Sequence, residues 1–170
     1  MRLLDLERVD GPWAEPVWRL LSACADEFVP PLSARHSTSQ TDLGSEERHE
    51  GPTAYFEEMR SQPIVLAVEG EELLGFLSYR PNFELDFLGE RSVYVTTVCV
   101  SAAHRRRGIA SALYGHIEER VAPQTVSLRT WSTNAAQIGA LRKRGYECVR
   151  TLEDDRGPGV DTVYFAKRGR

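Results

Sequence analysis

The sequence predicts one mixed α/β domain spanning residues 1–170, a mostly antiparallel sheet flanked by helices, and three observations carry that expectation. A chain of 170 residues with 41% hydrophobic residues can bury one good core and is short for two ordinary domains. Short β-rich runs interleave with helical apolar spacing in the order β α α β β β α β α β β, with no linker, repeat or low-complexity segment. Two pairs of strands are joined by short turn signals, Glu69-Gly70-Glu71-Glu72 and Arg156-Gly157-Pro158-Gly159, which join antiparallel neighbours.

Taken in order, residues 2–8 alternate weakly and read as a first strand. Residues 13–28 place Trp13, Val17, Leu20, Leu21, Cys24 and Phe28 at helical spacing, and Pro30 and Pro31 end that helix. Residues 32–51 are polar, with Leu32 and Leu43 as their sizeable apolar side chains, and read as a long surface loop or a loosely held helix. A short helix over 52–60 follows, then the hairpin strands 64–68 and 73–79. Residues 81–91 are polar, punctuated by Phe83, Leu85, Phe87 and Leu88. The stretch 92–100 is the most β-prone of the chain and is expected at the centre of the sheet. Residues 109–121 form a helix stopped by Pro123, 125–130 a strand, 134–144 a helix closed by Gly145, and 146–152 and 160–166 the last two strands.

Composition narrows the classes of function. No uninterrupted apolar stretch is long enough to cross a bilayer, and residues 1–10 mix Leu with Arg, Asp and Glu, unlike a secretory or transit signal. Cys24, Cys99 and Cys148 are odd in number and lack any Cys-x-x-Cys spacing, which argues against a disulfide framework and against a metal site. The expectation is a cytoplasmic protein in a reducing compartment, with no membrane and no metal. Residues 1–92 carry 8 Arg and no Lys against 18 acids, whereas residues 93–170 carry 13 Arg plus Lys against 7 acids. A basic second half suits a polyanionic ligand and an acidic first half a cationic one; a pair of ordinary solvated surfaces explains the same counts. Because the basic residues gather about one turn and the whole chain has a net charge of −4, nucleic acid is not an expected partner.

That turn lies in Val98-Cys99-Val100-Ser101-Ala102-Ala103-His104-Arg105-Arg106-Arg107-Gly108-Ile109-Ala110-Ser111: a strand, a basic loop ending in glycine, and the first turn of a helix. Unpaired N–H groups and the helix dipole at such a start favour phosphate, and Gly108 and Ala110 permit close backbone approach. Arg105, Arg106 and Arg107 add counter-charge. The spacing is neither a nucleotide P-loop nor a Rossmann turn. A basic surface turn capping an ordinary helix is the alternative.

Arg105-x-x-Gly108-x-Ala110 after the strand resembles the cofactor motif of the GNAT superfamily of N-acetyltransferases, and Asn134 followed by a helix and Gly145-Tyr146-Glu147 is similar to the second family motif. The resemblance implies acetyl-CoA as cosubstrate. It implies main-chain contacts from Val98, Cys99 and Val100 to the pantetheine arm, amides from Arg106 through Ile109 to Ser111 on the pyrophosphate, and Asn134 on the other wall. It also implies a splay between the two central strands, with the acyl carbonyl polarised by a main-chain N–H near Val98. As a residue, Asn134 reads equally well as the N-cap of its own helix.

The chain departs from the family at the tyrosine that follows the asparagine by seven residues; here the position is Leu141. Ser132 and Tyr94 are the alternative catalytic groups, and Glu84, Asp86 and Thr96 the residues expected to meet the acceptor amine. His36 and His49 border the same region. The expected activity is acetyl transfer to a primary amine of a small, cationic acceptor. Acetylation of a protein amino terminus or lysine is one alternative and a catalytically degenerate acyl-CoA-binding module another, and a homodimer stays open.

Overall fold

Seven strands form a single sheet in the order β1-β2-β3-β4-β5-β7-β6, with two helices against each face. A computed structural model describes residues 1–44 and 49–170; residues 45–48 of the expected polar loop lie outside the described residues. The strands are β1 (Arg2–Leu6), β2 (Ile64–Glu69), β3 (Glu72–Glu84), β4 (Arg91–Val100), β5 (Val126–Trp131), β6 (Glu147–Leu152) and β7 (Thr162–Lys167). The helices are α1 (Ala14–Cys24), α2 (Thr53–Met59), α3 (Ile109–Val121) and α4 (Ala135–Lys143). None of the described helices is long and apolar enough to cross a membrane.

Alternation along the strands builds two cores. Ile64, Leu66, Val68 and Phe76 face one way and pack with Val17 and Leu21 of α1 and Tyr55 and Met59 of α2. Val65, Leu77, Val93 and Val95 face the other way and pack with Ile109, Leu113 and Ile117 of α3 and Leu141 of α4. Because both faces are covered, β2 and most of β4 are buried residue after residue, the pattern expected of a central strand.

The β4–β5 pair is parallel, and every other pair in the sheet is antiparallel. β4 sits at the middle of the sheet, as its β-branched composition predicts. The polar stretch after residue 79 is not a loop throughout: β3 continues to Glu84. Its register against β4 shifts between Arg80 and Phe83, and this irregularity lets Pro81 sit in a strand without breaking the ladder. The first helix stops earlier than its apolar spacing suggests, at Cys24, and a 3-10 turn over Ala25–Glu27 replaces its last turn. The segment after Pro31 is not a surface loop either. Leu32, Ala34, Arg35, Thr38, Gln40 and Leu43 are buried, and its polar side chains find partners inside, as when the Gln40 side-chain oxygen accepts from the His36 and Ser37 N–H groups.

Glu118 on α3 joins α4 and β7. Its carboxylate accepts from Arg144 Nε and Nη2 at 3.0 and 2.7 Å, from Lys167 Nζ at 2.9 Å and from the Tyr146 hydroxyl at 3.0 Å. Burial pushes the carboxyl up, but the hydrogen bonds from Arg144, Lys167 and Tyr146 outweigh it and hold the group below the ordinary carboxylate range. A depressed folded pKa contributes stability above the unfolded value and loses it as pH falls through the folded one. Glu118→Gln is therefore expected to lose about 1.5–3 kcal/mol at neutral pH, with the gap to wild type closing in acid, as urea unfolding at a series of pH values will read. A gap independent of pH counts against the charge on Glu118 as its source.

Candidate active site

The site begins where the sheet comes apart. β4 and β5 pair at Val93↔Val126, Tyr94↔Ser127 and Val95↔Leu128 and no further, although both strands continue. A bulge marks the point of separation: Tyr79 faces Val95, but Ser78 faces Thr97, so Thr96 is an extra residue on β4. Beyond it the main chain keeps its alternation. The Ser101 N–H donates to the Leu74 carbonyl on the β3 side, and the Cys99 carbonyl lies so close to Gly75 that a Cβ there would meet it at 2.9 Å. The N–H and C=O groups of Val98 and Val100 therefore turn the other way, into the gap.

A cleft of about 770 Å³ fills this gap, with Val98 and Val100 on one wall and Asn134, Gln137 and Leu141 on the other. The turn from Arg105 to Gly108 closes its end. Arg106 has φ 64° and Gly108 φ 75°, both left-handed, and the second sits at the N-cap of α3. Successive amides in such a turn converge into an anion-binding concavity, and the N–H groups that open a helix have no partner within it. Gly108 is the right residue here because φ 75° is strained for a side chain. The three arginines differ in role. Arg105 donates to Glu27 at 2.7 Å and to the Val100 carbonyl at 3.2 Å, strapping the 3-10 turn after α1 to β4, and its hydrogen bond with Glu27 raises its already high pKa. Arg107 pairs with Glu69. Among the described residues Arg106 makes no ion pair, so it is the free cation of the run. Lys143 and Arg144 at the end of α4 also line the cleft.

Asn134 does not cap its helix with its side chain. Its amide donates instead to Thr130 Oγ1 at 3.2 Å and to Gln137 Oε1 at 2.8 Å, and Gln137 Nε2 donates to the Tyr114 hydroxyl at 3.2 Å. This chain of contacts spans β5, α4 and α3 across the floor of the gap. Leu141 is fully buried within the same wall. The Tyr114 ring lines the cleft, and burial pushes its hydroxyl well above the ordinary phenol range.

On the far side of Val98 the gap narrows into a second, smaller pocket of about 40 Å³. It shares Val98, Tyr114, Trp131 and Gln137 with the larger cleft. Thr96 lines it, as do Arg35 and Thr38 from the segment after Pro31. Thr97 and Thr130 add hydroxyls, and Arg129 and Arg156 add charge.

The residues expected from sequence fall into two groups. Val98, Val100, Arg105, Ala110, Ser111, Asn134 and Thr96 all line one of the two cavities, and Gly108, Ile109 and Arg106 belong to the turn at its end. Cys99 reaches the cleft, but alternation directs its main-chain groups to β3 rather than to a ligand. Arg107 turns away to Glu69 and His104. Glu84 and Asp86 are exposed and line neither cavity; the extension of β3 puts Glu84 in an exposed ion pair with Arg91. Tyr94 is buried and stacked on Phe83 at 4.5 Å, behind the wall rather than in it, because the bulge at Thr96 lies between it and the opening. Burial pushes its hydroxyl up to about 12. The Ser132 hydroxyl accepts from the Asp161 N–H at 2.9 Å, which ties it to the start of β7. His36 and His49 are exposed and line neither cavity. Among the described residues no group of His, Cys, Asp or Glu is arranged to hold a metal ion.

Sequence reasoning missed Tyr114, Gln137 and the arginines Arg35, Arg129 and Arg156. Gln137 had a signal, three residues beyond Asn134 on the same helical face. The arginines had none, since they come from three separate segments.

Comparison with known proteins fits this geometry. The model of the acetyltransferase (GNAT) family matches residues 22–146. A sequence search of curated proteins found no match. Among solved structures, an aminoglycoside 6'-N-acetyltransferase complexed with coenzyme A superposes with a TM-score of 0.70 at 18% identity, covering 99% of this chain and 97% of that one. The aminoglycoside 6'-N-acetyltransferase from Enterococcus faecium gives a TM-score of 0.71 at 17% identity, covering 99% and 97%. A ribosomal-protein-alanine N-acetyltransferase from Brucella melitensis gives 0.63 at 17% identity, covering 97% and 99%. At these identities the likeness is one of fold.

The turn at Gly108 makes a graded prediction. A Cβ at this position meets no atom within 4 Å, so Gly108→Ala adds only left-handed strain, about 1–2 kcal/mol. Gly108→Asp adds a negative charge facing the amides, and its affinity for coenzyme A is expected to fall at least about tenfold below that of Gly108→Ala. Calorimetry on the two folded variants checks it, and equal affinities would remove this turn from the binding site.

Proposed function

The chain belongs to the acetyltransferase (GNAT) family, and on that premise we propose that it moves an acetyl group from acetyl-CoA to the primary amine of a small acceptor by direct attack in a ternary complex. The observation that carries this reading is the gap between β4 and β5, entered by the main-chain groups of Val98 and closed by the left-handed turn at Gly108. The cleft suits an elongated thioester: Val98 and Val100 offer strand-like contacts to the arm, and the turn takes the pyrophosphate at its end. The Val100 carbonyl already accepts from Arg105, which leaves the Val100 N–H and the Val98 carbonyl for the arm and the Val98 N–H for the thioester oxygen.

The acceptor nitrogen attacks the thioester carbon, a C–N bond forms, and the C–S bond breaks with its electron pair going to sulfur. Negative charge developing on the carbonyl oxygen meets the fixed N–H of Val98. The nitrogen releases a proton to solvent, and the thiolate takes one from the Tyr114 hydroxyl, which is reprotonated afterwards. Tyr114 suits this role because its oxygen accepts from Gln137, leaving its own proton to point into the cleft. Its raised pKa keeps that proton in place across the working range. It approaches from α3, whereas the familiar tyrosine would stand at Leu141 on α4.

A small acceptor is supported by the narrowness of the second pocket and by the buried segment around Arg35 and Thr38 that closes over it; a protein amino terminus or lysine needs an open groove. The acidic first half of the chain favours approach of a molecule whose amine is a cation in solution.

Two measurements test the reading. A thiol-release screen across amine classes is expected to find turnover, and silence with every class would favour a module that binds acyl-CoA without transfer. The profile of kcat/KM against pH is expected to rise as the acceptor amine loses its proton and then stay level past about pH 10, where an unperturbed phenol would ionise. Tyr114→Phe keeps the ring in the core and is expected to lower kcat about 10²-fold. A descending limb below pH 10, or an unchanged kcat in the variant, would remove Tyr114 from the reaction.

A further inference from the structure

The small pocket beyond Val98 holds an arrangement that folding alone does not favour. Arg35 and Arg156 are only 5% and 7% exposed, and Arg129 lies beside them with its Nη2 buried and without any hydrogen-bond partner. Among the described residues none of the three has a carboxylate within ion-pair distance, while exposed arginines such as Arg19, Arg91 and Arg168 do. This inverts the usual pattern, in which buried charges are paired and surface ones need not be. The nearest acid, Asp155, is engaged by the Thr162 hydroxyl at 2.6 Å, and Arg156 Nε reaches only that hydroxyl, at 3.0 Å.

The guanidinium groups are nevertheless held in place. The Val29 carbonyl accepts from both Arg35 Nη2 at 3.3 Å and Arg156 Nη1 at 2.7 Å, so one oxygen brings two cations together. Arg35 lies over the Phe28 ring at 5.7 Å and Arg156 over Trp131 at 5.9 Å. Thr97 and Thr130 complete the lining with hydroxyl groups. Burial and the neighbouring guanidinium charge lower Arg35 to about 10 and Arg156 to about 9, the response of cations lacking an anion, whereas Arg129, despite its burial, is raised by Tyr94 and Tyr164.

We propose that this pocket binds a carboxylate carried by the acceptor itself, so that the acetylated amine belongs to an amino acid or a similarly small amino-carboxylate. The inference rests on the transferase reading above and names its substrate class. Planar guanidinium forks match the two oxygens of a carboxylate. A pocket of about 40 Å³ has room for a carboxylate, since a water occupies about 30 Å³ of liquid. Its shared wall with the larger cleft, Val98 and Tyr114, places the other end of a molecule anchored there beside the thioester. The acidic surface and the basic pocket then have separate tasks: one favours the ammonium group during approach, the other fixes the carboxylate after entry.

The test pairs acceptors that differ only at the carboxyl group. Wild-type protein and acetyl-CoA are assayed for thiol release with amino acids, with the corresponding amino-acid amides, and with aminoalkyl phosphates. The acids are expected to exceed the amides in kcat/KM by at least about 100-fold. In Arg129→Met, chosen because its Nη2 has no protein partner to leave behind, that preference is expected to collapse while calorimetry shows coenzyme A still bound. Binding of N-acetyl amino acids against their amides to the coenzyme A complex gives a readout independent of turnover. Equal rates for acids and amides, a preference for the phosphates, or an Arg129→Met variant that keeps full discrimination would each overturn the proposal and leave the transferase reading standing. Selective binding of the acids with no thiol release from any amine would sink the transferase reading while upholding the carboxylate site.

Discussion

Past Val95 and Leu128 the two middle strands cease to share hydrogen bonds, and the organisation of the site follows from that break. A main-chain group buried without a partner is costly, so strands in the centre of a sheet separate only where something else satisfies them. Here Tyr55 donates to the Thr96 carbonyl and Arg105 to that of Val100; on the opposite wall Asn134 and Gln137 link side chains of β5, α4 and α3. The extra residue at Thr96 makes the divergence structural rather than accidental: the bulge re-aims β4 just where β5 leaves it. What results is a strand in the middle of a sheet with an open edge, which is the form an extended ligand needs in order to pair with main chain.

The same break divides the electrostatics. At one end the left-handed turn and the start of α3 present amides, with Arg106 and Lys143 as counter-charge. At the other end three guanidinium groups stand behind Val98, in a half of the fold whose covering segment is drawn from the acidic part of the chain. Net charge over 92 residues therefore says little about the pocket those residues build: most of the described acids there are exposed, while Arg35 of the covering segment is buried and lines the pocket. Local burial, not regional charge, decides which charge a bound molecule meets.

The position of Leu141 shows how a missing group bears on the reaction. An aliphatic residue there completes the core shared by α3, α4 and the sheet, and a hydroxyl beside the cleft comes from Tyr114, which accepts from Gln137 one helical turn from Asn134. Orientation of two bound substrates can contribute about 7–11 kcal/mol to catalysis, more than the roughly 10²–10⁴-fold from a general acid. A wall rebuilt in this way can thus preserve the reaction so long as the gap itself is preserved.

Much of the fold was legible along the chain. Helical spacing marked α3 residue for residue, β-branched density marked β4 as central, and Arg105-x-x-Gly108-x-Ala110 marked the tight turn that opens α3, because each depends on contacts between residues close in sequence. Polarity along this chain does not always mean exposure. Residues 32–44 are polar yet partly buried, and β3 runs through Pro81, because partners distant in sequence satisfy them. The surroundings of the gap were hidden for the same reason. Val98 and Asn134 follow from local motifs, but Tyr94, Ser132, Glu84 and Asp86 were near the motifs in sequence and are turned away by the bulge, by β7 and by the length of β3. Arg35, Arg129 and Arg156 are separated by up to 121 positions, and no periodicity links them. By itself the sequence determined the order of the elements and the glycine turn that opens α3; only tertiary structure decided where β3 ends and which side chains share the gap, because burial and side-chain convergence arise from the packing of distant segments.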